Sequence, residues 1–236
     1  MAVELGFSEM EAQTVGSDEE ARTVKDAADK AGLRIHSVMN MAHWGDPFSS
    51  PDPAVVEAGL AGAEASIAQA ALWGADTVLL VPAVVDDETT YEQAWERSQP
   101  VIRKLLPSAE KHNVVLAIEE VWNRFLLTSA DFNRYIDEFN HPLVKAYFDV
   151  GNIVHYGVPQ HWIHEVGDRI VKLHLKDYSR KDGFVNLGEG AVEWGKVRQA
   201  LDDIGYKGAA TVELRGGDRE YLRDVGERVD QLLSLT

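Results

Sequence analysis

Glu119, Asp149, His174 and Glu213 each stand at or beside the end of a short apolar run: VVLAIEE, KAYFDV, IVKLHL and AATVEL. Three carboxylates and one imidazole form a mainly hard donor set. It suits Mn²⁺ or Mg²⁺, with Co²⁺ or Zn²⁺ as alternatives. The chain has no cysteine, which excludes a zinc–thiolate site and a disulfide framework. Three negative charges more than balance one divalent ion, so a neutral polyol or hydroxy-ketone is a suitable guest. A cation holding the adjacent hydroxyl and carbonyl oxygens of such a guest would acidify the C–H beside the carbonyl and stabilise the resulting enediolate. Two glutamates on opposite sides of that carbon could then remove and return the proton. This is the chemistry of ketose epimerisation or aldose–ketose isomerisation.

Each residue alone also has a structural reading. Glu119 could pair with a surface cation, and Asp149 before Val-Gly-Asn could open a turn. His174, between Leu173 and Leu175, could be a satisfied core histidine, and Glu213 closes a VEL triplet that also occurs at residues 3–5 without an evident role. The order and spacing of the four favour a joint site. They are separated by 30, 25 and 39 residues, and one strand–helix unit occupies roughly 30. Each step therefore advances one strand, with the loop at 178–190 absorbing the excess in the last. Tips of successive parallel strands converge on one face only if the sheet closes, so a barrel is expected rather than an open sheet.

The elements that must position these tips alternate along the whole chain. Strands are expected at 3–5 (VEL), 33–40, 77–83, 114–120, around KAYFDVGN, around IVKLHLKD, and at AATVEL. Helices are expected from Ser17 to Lys30, from Pro53 to Trp73, at 91–111 with Pro100 and Pro107 kinking or shortening it, at 129–139, 159–166, 191–204 and 218–233. Seven strand–helix units without a composition break predict a single domain over 1–236, an α/β barrel with a parallel sheet. The net charge of −16 argues against nucleic acid as a partner. No apolar run has membrane-spanning length, and the acidic start lacks the features of a signal peptide. A cytoplasmic location is the expectation.

The set AIEEVWNRF, YFDVGN, VKLHLKD, LGEG-x-VEW and TVEL resembles the xylose-isomerase-like barrel superfamily of sugar (phosphate) isomerases and epimerases. Ketose 3-epimerases and hydroxypyruvate isomerases are the most similar in pattern. The resemblance runs from about residue 3 to the C-terminus. It implies a TIM-type barrel in which Glu119, Asp149, His174 and Glu213 hold one divalent metal, with Glu119 and Glu213 also the acid/base pair. It implies a sugar or sugar phosphate as the small-molecule partner. The AIE context favours Glu119 as the ligand, whereas counting back from Asn123 favours Glu120; Glu119 is preferred.

The sequence departs from the family pattern at three points. Asn152 stands where epimerases often have a substrate-contacting His, Lys172 replaces a second His before His174, and a first strand–helix unit ahead of VEL is missing. For the last point two readings stand, an incomplete gene product or a seven-stranded, imperfectly closed barrel; the expectation is the latter, stabilised by homo-oligomerisation, since unpaired strand edges invite association. His43, Trp122, Asn123, Asn152, His155 and Arg180 are the candidate substrate contacts, with Trp44 beside His43. Gly216-Gly217 could receive a phosphate ahead of the last helix. Two other functions fit the same scaffold: a polyol-ketone dehydratase using the same enolate route, and a non-catalytic sugar-binding barrel. The DNA-repair branch of the superfamily is disfavoured by the charge and by the lack of extra His ligands.

Overall fold

The computed structural model describes residues 1–233. Seven parallel strands form one nearly closed sheet: β1 (Glu9–Gln13), β2 (Arg34–Met39), β3 (Thr77–Leu80), β4 (Val115–Glu119), β5 (Val144–Asp149), β6 (Ile170–Leu175) and β9 (Ala210–Val212). They pair in that order, each with its sequence neighbour in the sheet. Backbone pairing does not join β1 to β9 among the described residues, so a seam remains between the two edges. Two antiparallel strands, β7 (Asp177–Ser179) and β8 (Gly183–Val185), make a separate hairpin.

Helices α1 (Asp18–Ala31), α2 (Pro53–Trp73), α3 (Tyr91–His112), α4 (Ser129–Asp137), α5 (Val150–Tyr156), α6 (Pro159–Val166), α7 (Trp194–Asp203) and α8 (Arg219–Leu233) complete the chain. Local chemistry sets their ends. Ser17, Asp52, Thr90 and Thr128 each cap a helix N-terminus by accepting a backbone N–H, and Thr90 with Gln93 forms a full capping box. Gly32 and Gly74 close α1 and α2 with positive φ.

Two apolar regions follow from strand alternation. Outward-facing residues such as Leu116, Ile118, Phe148, Leu173 and Leu175 pack against the helices in the main core. Inward-facing Leu79, Ala117 and Tyr147, with Val81 and Val121, fill the barrel interior. Period-2 alternation carries inward-facing Ala117 to Glu119 and Tyr147 to Asp149, so both tips emerge above this filling.

Several sequence expectations are corrected here. VEL at 3–5 is a 3-10 turn ended by Gly6 at φ 93°, and the first strand is EMEAQ at 9–13. EMEAQ reads as polar because its inward side carries carboxylates. Pro100 and Pro107 lie inside an uninterrupted α3. The segment at 178–190 contains most of a hairpin rather than a plain loop. A further helix, α5, follows β5 directly, with Asp149 as its N-cap.

Candidate metal centre

Glu119, Asp149, His174 and Glu213 meet at the C-terminal ends of β4, β5, β6 and β9. Each offers a ligand atom within 4.8 Å of the others, and the first three residues are buried. Register explains the meeting: Glu119 lies opposite Tyr147, Asp149 opposite His174, and His174 opposite Thr211, two residues before Glu213. His174 Nδ1 is 2.9 Å from Glu119 Oε1 and 3.0 Å from Glu213 Oε2. Asp149 Oδ1 accepts from the backbone N–H groups of Gly151 and Asn152 at 2.8 and 2.9 Å. Its buried Oδ2 takes no backbone N–H and faces the cluster.

Lys176, at the end of the same alternation as Lys172 and His174, projects into this cluster. Its Nζ lies 2.9 Å from Asp149 Oδ2 and 2.6 Å from Glu213 Oε2. Gly151 permits this approach, because a Cβ there would stand 2.7 Å from the Lys176 carbonyl oxygen. A hard donor set of three carboxylates and one imidazole, gathered within 4.8 Å, fits a divalent cation.

Electrostatics divide the two glutamates. Burial raises the Glu119 carboxyl to about 7; the His174 charge opposes the shift, while Asp149 and Glu213 add to it. For Glu213 burial also pushes upward, but His174 and the Lys176 ammonium outweigh it and hold the group at about 2. Burial disfavours a charge on His174. The surrounding Tyr147, Glu11 and Glu119 nonetheless raise its pKa well above the usual histidine range. Glu120 is buried with both carboxylate oxygens unpartnered. Burial first, then the Glu119 and Asp149 charges, drives its pKa well up. The geometry therefore groups Glu119, not Glu120, with the other three.

The candidate substrate contacts fall into two groups. Trp122 stacks on Phe184 with centroids 4.8 Å apart and lies 4.9 Å from both His155 and Tyr178. Lys176 Nζ lies 4.8 Å over the Phe184 ring, linking this aromatic wall to the cluster. Asn152 is buried beside the cluster and donates to the Glu120 carbonyl at 3.2 Å. A cleft of about 690 Å³, lined by Lys176, Phe184, Asn186, Glu213, Arg215 and Tyr221 among others, opens beside Glu213.

The other candidates serve elsewhere. Asn123 braces its loop, donating to the Ala83 carbonyl and accepting from Phe125 N–H. His43 is buried, accepts from Val81 N–H at 3.3 Å and packs edge-on against Trp44, 4.5 Å away. Arg180 is exposed in the turn between β7 and β8. Gly216 and Gly217 are exposed ahead of α8. Asp177, although buried beneath the hairpin, accepts from the backbone N–H groups of Tyr178, Gly188 and Val192 and from Trp194 Nε1.

Lys176 and Glu11 are the inward-facing residues that the sequence reading missed. Alternation in KLHLK could have found Lys176, whereas Glu11 was hidden by placing the first strand at VEL. Glu11 Oε1 lies 2.9 Å from His174 Nε2, and Glu11 Oε2 accepts from Ser37 Oγ at 2.8 Å. A second cleft, of about 490 Å³, lies at the foot of the seam between Phe7, Leu173, Tyr206 and Val229. It contains none of the four clustered residues.

Comparison with known proteins agrees with this architecture. The profile described as xylose isomerase-like TIM barrel matches residues 1–232. A D-psicose 3-epimerase from Enterocloster bolteae is 32% identical over 146 residues, covering 56% of this chain and 46% of that protein. The matched part of the chain thus spans about half the length of that relative. The L-ribulose-5-phosphate 3-epimerase UlaE of Escherichia coli is 25% identical over 201 residues, 84% of this chain and 70% of that one. Among solved structures, a D-tagatose 3-epimerase-like protein superposes with a TM-score of 0.87 at 16% identity, covering 99% of this chain and 91% of the other. The IOLI protein with a binding zinc atom gives 0.82 at 18%, covering 98% and 91%. At these identities the structural likenesses establish the fold.

Proposed function

The chain belongs to the xylose isomerase-like TIM barrel family, and from that premise we propose that it is a divalent-metal-dependent isomerase or epimerase of a sugar or sugar phosphate. The observation that carries this reading is the convergence of Glu119, Asp149, His174 and Glu213, with ligand atoms within 4.8 Å of one another at the strand tips. These four residues would hold the ion, with Mn²⁺ or Mg²⁺ favoured by the three carboxylates. When bound, the ion supplies Lewis acidity that polarises the substrate carbonyl and lowers the pKa of the adjacent C–H.

The chain's own groups do the rest. Glu213 is the partly exposed glutamate, its side chain 37% accessible, and its carboxylate borders the cleft from which it can accept the proton. As its oxygen takes the C–H proton, the electron pair moves into the carbonyl and gives an enediolate. Glu119, carrying a proton at that stage, delivers it to the opposite face, and the carbonyl re-forms. Two carboxyls at one cluster, one buried and one bordering the cleft, are suited to such an exchange. Trp122, Phe184 and Tyr178 provide the apolar wall against which a sugar face packs, and Asn152 lies beside the tips. The relatives' names make D-psicose and L-ribulose 5-phosphate reasonable first compounds.

The test is incubation of the Mn²⁺-supplemented protein with these ketoses in ²H₂O, followed by NMR. Deuterium entering the carbon beside the carbonyl, and failing to enter with Glu119→Gln or Glu213→Gln, is the expected result. A ketose panel that remains unlabelled, with protein shown to hold metal, would sink the catalytic reading and leave a sugar-binding barrel.

A further inference from the structure

We infer that Glu11 is a positioning residue: it fixes the ring orientation and tautomer of His174 so that Nδ1 is the nitrogen presented to the ion. The inference rests on the metal reading above. His174 is fully buried and has carboxylates at both ring nitrogens. Nδ1 faces Glu119 and Glu213, inside the four-residue cluster. Nε2 faces the other way and meets Glu11 Oε1 at 2.9 Å. A neutral imidazole has one N–H, and an ionised carboxylate can only accept. With an ion taking the Nδ1 lone pair inside the cluster, the single N–H lies on Nε2 and is donated to Glu11.

The surroundings hold Glu11 in this role. Its second oxygen accepts from Ser37 Oγ at 2.8 Å, and Ser37 Oγ is 3.3 Å from the Tyr147 hydroxyl. The Tyr147 ring lies against the His174 ring, with centroids 4.4 Å apart. His174 is therefore fixed at its edge by Glu11 and on its face by Tyr147, leaving one direction for Nδ1. Glu11 sits on β1 and His174 on β6, strands that backbone pairing does not join. The contact thus spans the interior from one side of the seam to the other. A ligating histidine held through its second nitrogen by a carboxylate is more basic and better oriented, and loss of such a partner typically weakens metal affinity about 10- to 100-fold.

The probe is Mn²⁺ alone, titrated calorimetrically into wild type, Glu11→Gln and Glu11→Leu. Thermal midpoints in EDTA report the fold separately. The Gln variant keeps the shape and one acceptor but loses the charge, so Mn²⁺ should bind about 10-fold more weakly; the Leu variant loses the acceptor and should fall about 100-fold. The d–d absorption of Co²⁺-loaded Glu11→Gln should differ from wild type. Nitrogen-15 NMR of Zn²⁺-loaded wild type, which requires no variant to fold, should show His174 protonated at Nε2. Unchanged Mn²⁺ affinity and Co²⁺ spectrum in a folded Gln variant overturn the inference, even if its midpoint drops. So does a proton on Nδ1 with metal at Nε2. A wild type that binds none of the three ions overturns the metal reading itself, which is a different failure.

Discussion

Replacing Lys176 by Met should destabilise the protein in EDTA, and Mn²⁺ should repair much of the damage. The ammonium sits between Asp149 and Glu213 with only 12% of its side chain accessible, and Asp149 is fully buried. Met preserves most of the aliphatic stem and removes the charge, leaving Asp149 Oδ2 without its cationic neighbour. Removing one partner of a buried ion pair costs roughly 3–5 kcal/mol. For a chain of this length each kcal/mol lowers the midpoint by roughly 2–4 °C, so the expected drop is about 6–20 °C. A divalent ion at a hundred times its dissociation constant contributes about 2.7 kcal/mol by mass action. In wild type the ammonium already counters these carboxylates, so the rise on adding Mn²⁺ should be larger in the variant. Circular dichroism melts of both proteins in EDTA and in Mn²⁺ give the four midpoints. A variant that melts with wild type in EDTA, or whose deficit Mn²⁺ leaves unchanged, would show that Lys176 is not the local counter-charge.

Two further outcomes follow from the buried polar groups. Burial lowers the His43 pKa to about 3, so between pH 6.5 and 3 the unfolded chain binds a proton that the folded chain refuses. Stability therefore falls as pH drops through that window. At pH 5 His43 should account for about 2 kcal/mol of the loss, so urea midpoints of His43→Gln should change less than wild type between pH 7 and 5. His36, lowered to about 4 first by burial and then by Lys172, works in the same direction and should leave a residual slope. Asp177→Ala strips the acceptor from three backbone N–H groups and the Trp194 indole, and should cost about 3 kcal/mol or more. A melt within 2 °C of wild type would refute the view that Asp177 organises the hairpin.

The barrel and its centre were legible because the tips of β4, β5, β6 and β9 combine two signals that a short sequence preserves well. A buried parallel strand reads as a continuous apolar run, and a carboxylate or imidazole at its end is conspicuous. β1 lacks both signals. EMEAQ turns Glu9 and Glu11 to one side and half-buried Met10 to the other, and a half-polar strand of five residues resembles a loop. The pair at 119/120 was ambiguous in sequence because neighbouring carboxylates differ only in which way the backbone turns them. Pro100 and Pro107 suggested a kinked or shortened α3, yet the packing of Val101, Ile102 and Leu105 in the main core offsets the lost hydrogen bonds. Lys176 escaped notice because a lysine after a strand ordinarily points to water.

The seam has a mechanical consequence for the centre. β4 and β5 have a hydrogen-bonded strand on either side, whereas β9 is three residues long and, among the described residues, is paired with β6 alone. Resistance to local opening follows such bonding, so amide hydrogen exchange should be slow in β4 and β5 and rapid in β9. Glu119 and Asp149 are thus mounted on the stiff wall, and Glu213 on its most compliant edge. A centre divided in this way can adjust to guests of different size by displacement of one carboxylate, while the other two keep their spacing.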